Sequence, residues 1–205
     1  NMNVLKKAIL VNPDSPLYRH LYVFISDNAK TLEAEKIIGN SSYIRINPNR
    51  NVGGVGGFTR GIIESLNAKS SLDLSHVLLM DDDAVIEPHC LETNYVFLSL
   101  LKKEYKDFVV AGAIMREDEP NIQYEAGARW NRGNIEALRH YVDMRKLSNL
   151  LRNEKEEPAE YTGWWYTCYP LSIIDKNNLP LPLFIHRDDV EYGLRVGKGR
   201  FIFMN

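Results

Sequence analysis

Cysteine is scarce in this chain. Its 205 residues hold only Cys90 and Cys168, far apart in sequence. That excludes a disulfide framework and a zinc-ribbon spacing, and points to free thiols in a reducing compartment. Long apolar runs are missing as well; none approaches the ~20 residues of a membrane-spanning helix, and the N-terminus has no signal-peptide pattern. Charge of one sign is missing too. The net charge of −2 argues against a broad nucleic-acid surface. No Gly-x-Ser-x-Gly elbow and no Cys or His pair at metal-ligand spacing occurs, so a Ser or Cys nucleophile has no support. What remains is ordinary globular composition, 44% hydrophobic and 25% charged. With no convincing linker, residues 1–205 read as one domain.

The densest chemistry follows His76-Val77-Leu78-Leu79-Met80. This short apolar run reads as a buried strand, and it ends in Asp81-Asp82-Asp83. Three adjacent carboxylates repel one another unless they are solvated or share a cation. In open α/β sheets, ligands bind beyond the carboxyl ends of strands. Oxygen ligands of this kind favour Mg²⁺ or Mn²⁺. A solvated acidic turn capping the next helix is the bland alternative.

Around this run, strand and helix patterns alternate. A helix is expected over Asn1–Leu10, a strand over Leu21–Ser26, a helix over Thr31–Ile38 and a strand over Tyr43–Ile46. Asn47–Gly57 reads as loop, Phe58–Leu66 as helix, Pro88–Lys103 as helix with proline in its first turn, and Phe108–Met115 as strand. Short strands are expected within Tyr124–Asp143, a helix over Met144–Arg152, and a charged surface loop over Glu154–Glu160. A strand over Trp164–Tyr169, a helix over Arg187–Val196 and a strand over Phe201–Met204 complete the chain. This alternation predicts an α/β fold of parallel βαβ units.

Four further stations carry candidate chemistry. Asp27 ends the first strand; its carboxylate can accept a nucleobase N–H or, equally, close an Asx-turn or cap a helix. Asn51-Val52-Gly53-Gly54-Val55-Gly56-Gly57-Phe58-Thr59-Arg60 packs four glycines into five residues. Such a run lets backbone approach a ligand, and the helix start behind it favours anions. It matches neither the Walker nor the dinucleotide pattern, and a flexible turn is the alternative. Gly163-Trp164-Trp165 would present its indoles to opposite faces of a strand, one to the core and one to a pocket, unless both are core. Asp188 with Glu191 has capping-box spacing. Asp189 is left over, free to serve as a general base.

In this order the stations resemble the inverting glycosyltransferases of family 2, and most of all their galactofuranosyltransferase and rhamnosyltransferase-like branch. The matching residues are Ser26-Asp27-Asn28, the glycine loop, Asp81-Asp82-Asp83, Gly163-Trp164-Trp165, Leu181-Pro182-Leu183-Phe184-Ile185 and Asp188-Asp189-Val190-Glu191-Tyr192-Gly193-Leu194-Arg195. The resemblance implies a GT-A fold, with a mostly parallel twisted sheet flanked by helices. It implies that Asp27, Gly53, Gly54, Arg60 and Asp82 bind a UDP- or dTDP-sugar donor. Asp81 and Asp83 would hold Mn²⁺ or Mg²⁺. Trp164, Trp165 and Asp188 would bind a glycan or lipid-linked acceptor, and Asp189 would be the base. It implies work at the cytoplasmic face of a membrane, in surface-polysaccharide or cell-wall assembly. It also implies a chain truncated at both ends, with any peripheral membrane contact lying in the missing parts and homo-oligomerisation left open. Two rival readings are a non-catalytic sugar-nucleotide or carbohydrate-binding domain and a nucleotidyltransferase. The second would want a Lys or Arg inside Gly53–Gly57, and there is none.

Overall fold

The computed structural model describes residues 2–155 and 157–204. Asn1, at the head of the expected first helix, and Glu156, in the expected charged loop, lie outside the described residues. The chain divides into two compact units.

The first unit comprises residues 1–74, 83–106 and 182–185. It opens with a short helix, α1 (Met2–Leu5), which continues as a wider π-turn over Lys6–Leu10. Strand β1 (Val23–Asp27) follows, then α2 (Ala34–Ile38), β2 (Ile44–Pro48), α3 (Gly54–Ala68) and α4 (Pro88–Leu100). β1 and β2 pair in parallel, with Asp27 opposite Pro48. The helices shed Leu5, Ile9, Val55, Ile62 and Leu91 into the core, at helical spacing on their own elements. Pro88 stands at the head of α4, where its missing N–H costs nothing.

The second unit comprises residues 75–82, 107–181 and 186–205. Its main sheet holds β3 (His76–Leu79), β4 (Val109–Gly112), β10 (Thr167–Pro170) and β11 (Phe201–Met204), in the order β11-β4-β10-β3. Val109, Val110 and Ala111 are wholly buried, as a continuous apolar run in a central strand should be. Two smaller sheets complete the unit. β5 (Ile114–Met115), β6 (Ile122–Glu125) and β9 (Val142–Asp143) form one; β7 (Ala128–Asn131) and β8 (Asn134–Ala137) form the other. Helix α5 (Leu147–Asn153) follows β9. Helix α6 (Asp188–Tyr192) runs on into a π-turn over Gly193–Gly197.

The α/β class expected from sequence is observed; the mostly parallel sheet is not. Among the described residues only β1–β2 and β4–β11 pair in parallel. β10 is inserted between β3 and β4 and runs antiparallel to both. The small sheets are antiparallel throughout. The glycine run also departs from expectation. It is not all loop, because α3 begins at Gly54 and takes Gly54, Gly56 and Gly57 into its first turns. The predicted strand over Trp164–Tyr169 is shorter at its head: the two indoles lie in a turn, and pairing begins at Thr167.

Candidate functional site

In the first unit the ends of β1 and β2 hold the start of α3. Ser26 Oγ donates to Gly57 O at 2.8 Å. Asn49 Nδ2 donates to Asn28 Oδ1 at 2.9 Å and to Gly56 O at 3.2 Å. A Cβ at Gly57 would stand 3.1 Å from Asn28 Nδ2, so this close approach is what the glycines allow. Gly53 has a φ of +85°, and a Cβ there would fall 1.8 Å from the carbonyl oxygen of Phe184. Gly54 is exposed, with open space where a side chain would be. No side chain caps α3; the Gly56 N–H donates to Gly53 O at 3.2 Å, and an uncapped helix start of this kind favours an anion.

The sequence-predicted donor residues of this unit fare unequally. Gly53 and Gly54 sit at that helix start. Asp27 is buried, and its carboxylate accepts the backbone N–H of Lys30 at 2.7 Å and of Leu32 at 3.0 Å. Those bonds, led by the one from Leu32, hold its pKa below the usual carboxylate range. It therefore closes the turn after β1, as the bland reading had it. Arg60 pairs with Glu64 one turn along α3, at 2.8 Å.

Along the chain, Asp81 and Asp82 end a segment of the second unit, and Asp83 begins a segment of the first. Asp81 is half-buried, while Asp82 and Asp83 are exposed. Among the described residues no three or more His, Cys, Asp or Glu converge as a ready metal cage. Exposed carboxylates beyond a strand end still suit Mg²⁺ or Mn²⁺, which characteristically take one or two carboxylates and complete their shell with water and substrate phosphates.

In the second unit, α6 is entered through strained backbone. His186 and Arg187 both have left-handed φ, 65° and 66°, a conformation costing roughly 1–2 kcal/mol per non-glycine residue. Arg187 is the N-cap and no side chain caps the helix. The capping box suggested by Asp188 and Glu191 is therefore absent. Glu191 instead turns to Arg195, with a hydrogen bond of 3.1 Å from Nη2 to Oε2. This leaves Asp188 without a capping role. The Arg187 guanidinium lies 5.3 Å from the centre of the Trp130 ring.

Asp189 is half-buried, and its Oδ1 accepts the Val190 N–H at 2.7 Å. Burial, reinforced by the charge of Asp188, raises its pKa above the ordinary aspartate value. Its neighbours were not legible from sequence. Glu125, buried at the end of β6, is pushed up to about 7 by burial and then by the charge of Asp189. Tyr161 is 2% exposed and packs with Ala128 and Val190. Its hydroxyl has no hydrogen-bond partner among the described residues. Burial, then the charges of Asp189 and Glu125, push that phenol up. Two carboxyls and an unpartnered phenol thus share one partly dry setting. Such a grouping can divide acid and base duties.

The two tryptophans split as the sequence allowed, though from a turn and not a strand. Trp164 is core: it meets Tyr192 of α6 edge-on at 5.9 Å, and its Nε1 donates to the Tyr169 hydroxyl at 3.4 Å. It is no free platform. Trp165 is half-buried, and its Nε1 has no hydrogen-bond partner among the described residues. Its ring lies over Gly163, where a Cβ would come within 2.1 Å of it. The Trp165 N–H is thus a buried donor, and only part of the indole reaches the surface.

No family model matches the chain. Over 184 residues it is 29% identical to the galactofuranosyltransferase GlfT2 of Mycolicibacterium smegmatis, covering 84% of this chain and 27% of that protein. Over 170 residues it is 28% identical to GlfT2 of Mycobacterium tuberculosis, covering 77% of this chain and 25% of that protein. The chain thus spans about a quarter of the length of the curated relatives it matches. No helix among the described residues is long and apolar enough to cross a membrane.

Proposed function

We propose that this chain carries the catalytic region of a glycosyltransferase of family 2 type and GT-A fold, transferring a galactofuranosyl or related sugar from a nucleotide-sugar donor to a glycan or lipid-linked acceptor at the cytoplasmic face of a membrane. The likeness to the two galactofuranosyltransferases supports the reaction class. The observation that carries the reading is Asp189: a carboxylate in the first turn of a helix, partly dry, with a raised pKa, beside Glu125 and the unpartnered Tyr161 hydroxyl.

The chemistry is a single displacement. The acceptor oxygen forms a bond to the anomeric carbon as the bond from that carbon to the diphosphate oxygen breaks. The acceptor proton passes to the Asp189 carboxylate, and the anomeric centre inverts. A raised pKa makes the Asp189 carboxylate a stronger base than an ordinary aspartate. Glu125, titrating near 7, retains a proton on part of the population at that pH. In that form it donates a hydrogen bond to a sugar oxygen. The exposed part of the Trp165 indole would stack on the acceptor, and the uncapped start of α3 would seat donor phosphate. Mn²⁺ or Mg²⁺, held by Asp81 and Asp83, would supply Lewis-acid stabilisation of the leaving diphosphate.

The test is transfer of radiolabelled galactofuranose from its UDP donor to a short galactan acceptor, with Mn²⁺ present. Asp189→Asn should lower kcat by about 10²–10⁴-fold and leave donor binding, read by thermal shift, in place. Undiminished turnover removes Asp189 from the reaction. The rival reading is a sugar-nucleotide-binding domain without catalysis. That reading predicts donor binding with neither transfer nor donor hydrolysis.

A further inference from the structure

β6 has two faces. Gln123 and Glu125 are buried, whereas Tyr124 between them is 39% exposed. Tyr124 does not stand alone. The Tyr141 N–H donates to the Tyr124 carbonyl at 3.2 Å, extending the β6–β9 pairing by one residue. The two phenol rings meet edge to face, with centroids 5.4 Å apart. The exposed His140 ring joins them, at 5.0 Å from Tyr124 and 4.5 Å from Tyr141. Tyr141 is itself 53% exposed. Arg139 and Tyr141, on either side of His140, both hold left-handed φ, 49° and 52°. The Arg116 guanidinium lies 5.4 Å from the Tyr141 ring centre, fixed by Asp118 at 2.9 Å.

Three exposed rings meet here, one from β6 and two from the turn before β9 where Arg139 and Tyr141 are left-handed; they bury little, so packing alone does not explain them. Their chemistry is selective. Aromatic faces attract the C–H faces of sugar rings, while phenol, imidazole and guanidinium groups at the fringe serve hydroxyls. The Arg116 charge is matched by Asp118, so the surface suits a neutral ligand better than an anionic one. We propose that Tyr124, His140 and Tyr141, with Arg116 at the edge, form a second glycan-binding surface. It holds a neutral oligosaccharide on the face of β6 opposite Glu125. The choice of glycan rests on the transferase reading; the stacking argument does not.

The probe is soluble arabinogalactan, with dextran as a second polymer, in affinity electrophoresis of the chain through native gels. Arabinogalactan should retard the chain. Tyr124→Ala and Tyr141→Ala leave the charge unchanged and should weaken retardation about tenfold; Tyr141→Phe, which keeps the ring, should not. His140→Ala, at an exposed position, should weaken it in a protein whose thermal midpoint is unaltered, which covers the case of a misfolded Tyr→Ala variant. Native-strength retardation in all three alanine variants overturns the proposal, as does a native chain retarded by neither polymer. Self-association abolished by these substitutions, without retardation, assigns the surface to a second copy and overturns the glycan reading. Transfer to a short acceptor is measured alongside. Its persistence in variants that no longer bind polymer supports a separate surface, whereas its absence in the native chain with retardation intact refutes the transferase reading alone.

Discussion

Gln123 and Asn153 exchange amide hydrogen bonds in both directions. Asn153 Nδ2 donates to Gln123 Oε1 at 3.0 Å, and Gln123 Nε2 donates to Asn153 Oδ1 at 3.3 Å and to the Arg139 carbonyl at 3.0 Å. Both side chains are buried, at 1% and 2% exposure. This pair ties the last residue of α5 to β6 two positions before Glu125, and so fixes which face of β6 turns inward. Removing one partner strands the other in a dry site, which costs about 1–3 kcal/mol beyond the lost bond. Asn153→Ala is expected to lower stability by about 2–3 kcal/mol in urea denaturation. A loss below about 0.5 kcal/mol would show that water replaces the amide.

Glu125 makes the opposite demand. Its folded pKa of about 7 lies above the ordinary 4.5. The folded state therefore binds the proton more tightly than the unfolded one. Its contribution to stability is fully present below pH 4.5 and is lost as pH rises through 7. Glu125→Gln removes that dependence. The variant is expected to match the parent at pH 4 and to melt about 2–6 °C higher at pH 8. Parallel melting curves across that range would show that the glutamate is solvated.

The last strand, Phe201–Met204, was legible residue for residue, because a short β-branched and aromatic run has one reading at the end of an α/β pattern. The main helices were legible too, since amphipathic spacing survives tertiary context. The antiparallel insertion of β10 was not: strand direction depends on what the preceding segment does in space, and the mixed Gly, Asn and aromatic pattern from Tyr124 to Asp143 does not record it. Glu125 escaped notice because a glutamate among Gln and Tyr reads as surface. Nothing local announces that its strand face is dry. Asp188 misled for the reverse reason: it has the spacing of a cap, but the left-handed Arg187 takes the cap position and leaves that box unformed.

Asp27 sets an acid limit on the turn after β1. Three backbone N–H groups, from Lys30, Thr31 and Leu32, point at its two oxygens. Its folded pKa lies below the unfolded value of about 3.9. The stability it contributes is present above that unfolded value and is lost as pH falls through the folded one. Asp27→Ala is expected to melt a few degrees below the parent at pH 7. The gap should close as pH is lowered beneath about 4. A gap that persists at pH 2 would mean that geometry, not charge, holds the turn.

Gly53 and Gly54 separate fold from ligand at the start of α3. Alanine at 53 meets both a φ of +85° and the Phe184 carbonyl 1.8 Å from its Cβ, which is backbone and cannot swing aside. Gly53→Ala is expected to cost about 2–4 kcal/mol, seen as a lowered denaturation midpoint and lost donor binding together. At 54 the φ is not left-handed and no atom lies within 4 Å of the new methyl, so Gly54→Ala should leave stability within about 1 kcal/mol of the parent. If donor phosphate seats on the first amides of α3, that same methyl crowds it. Calorimetry with UDP should then show at least about tenfold weaker binding, from roughly 1.4 kcal/mol of lost contact. Equal UDP affinity in parent and Gly54→Ala would move the diphosphate away from this helix and leave the glycines a purely architectural task.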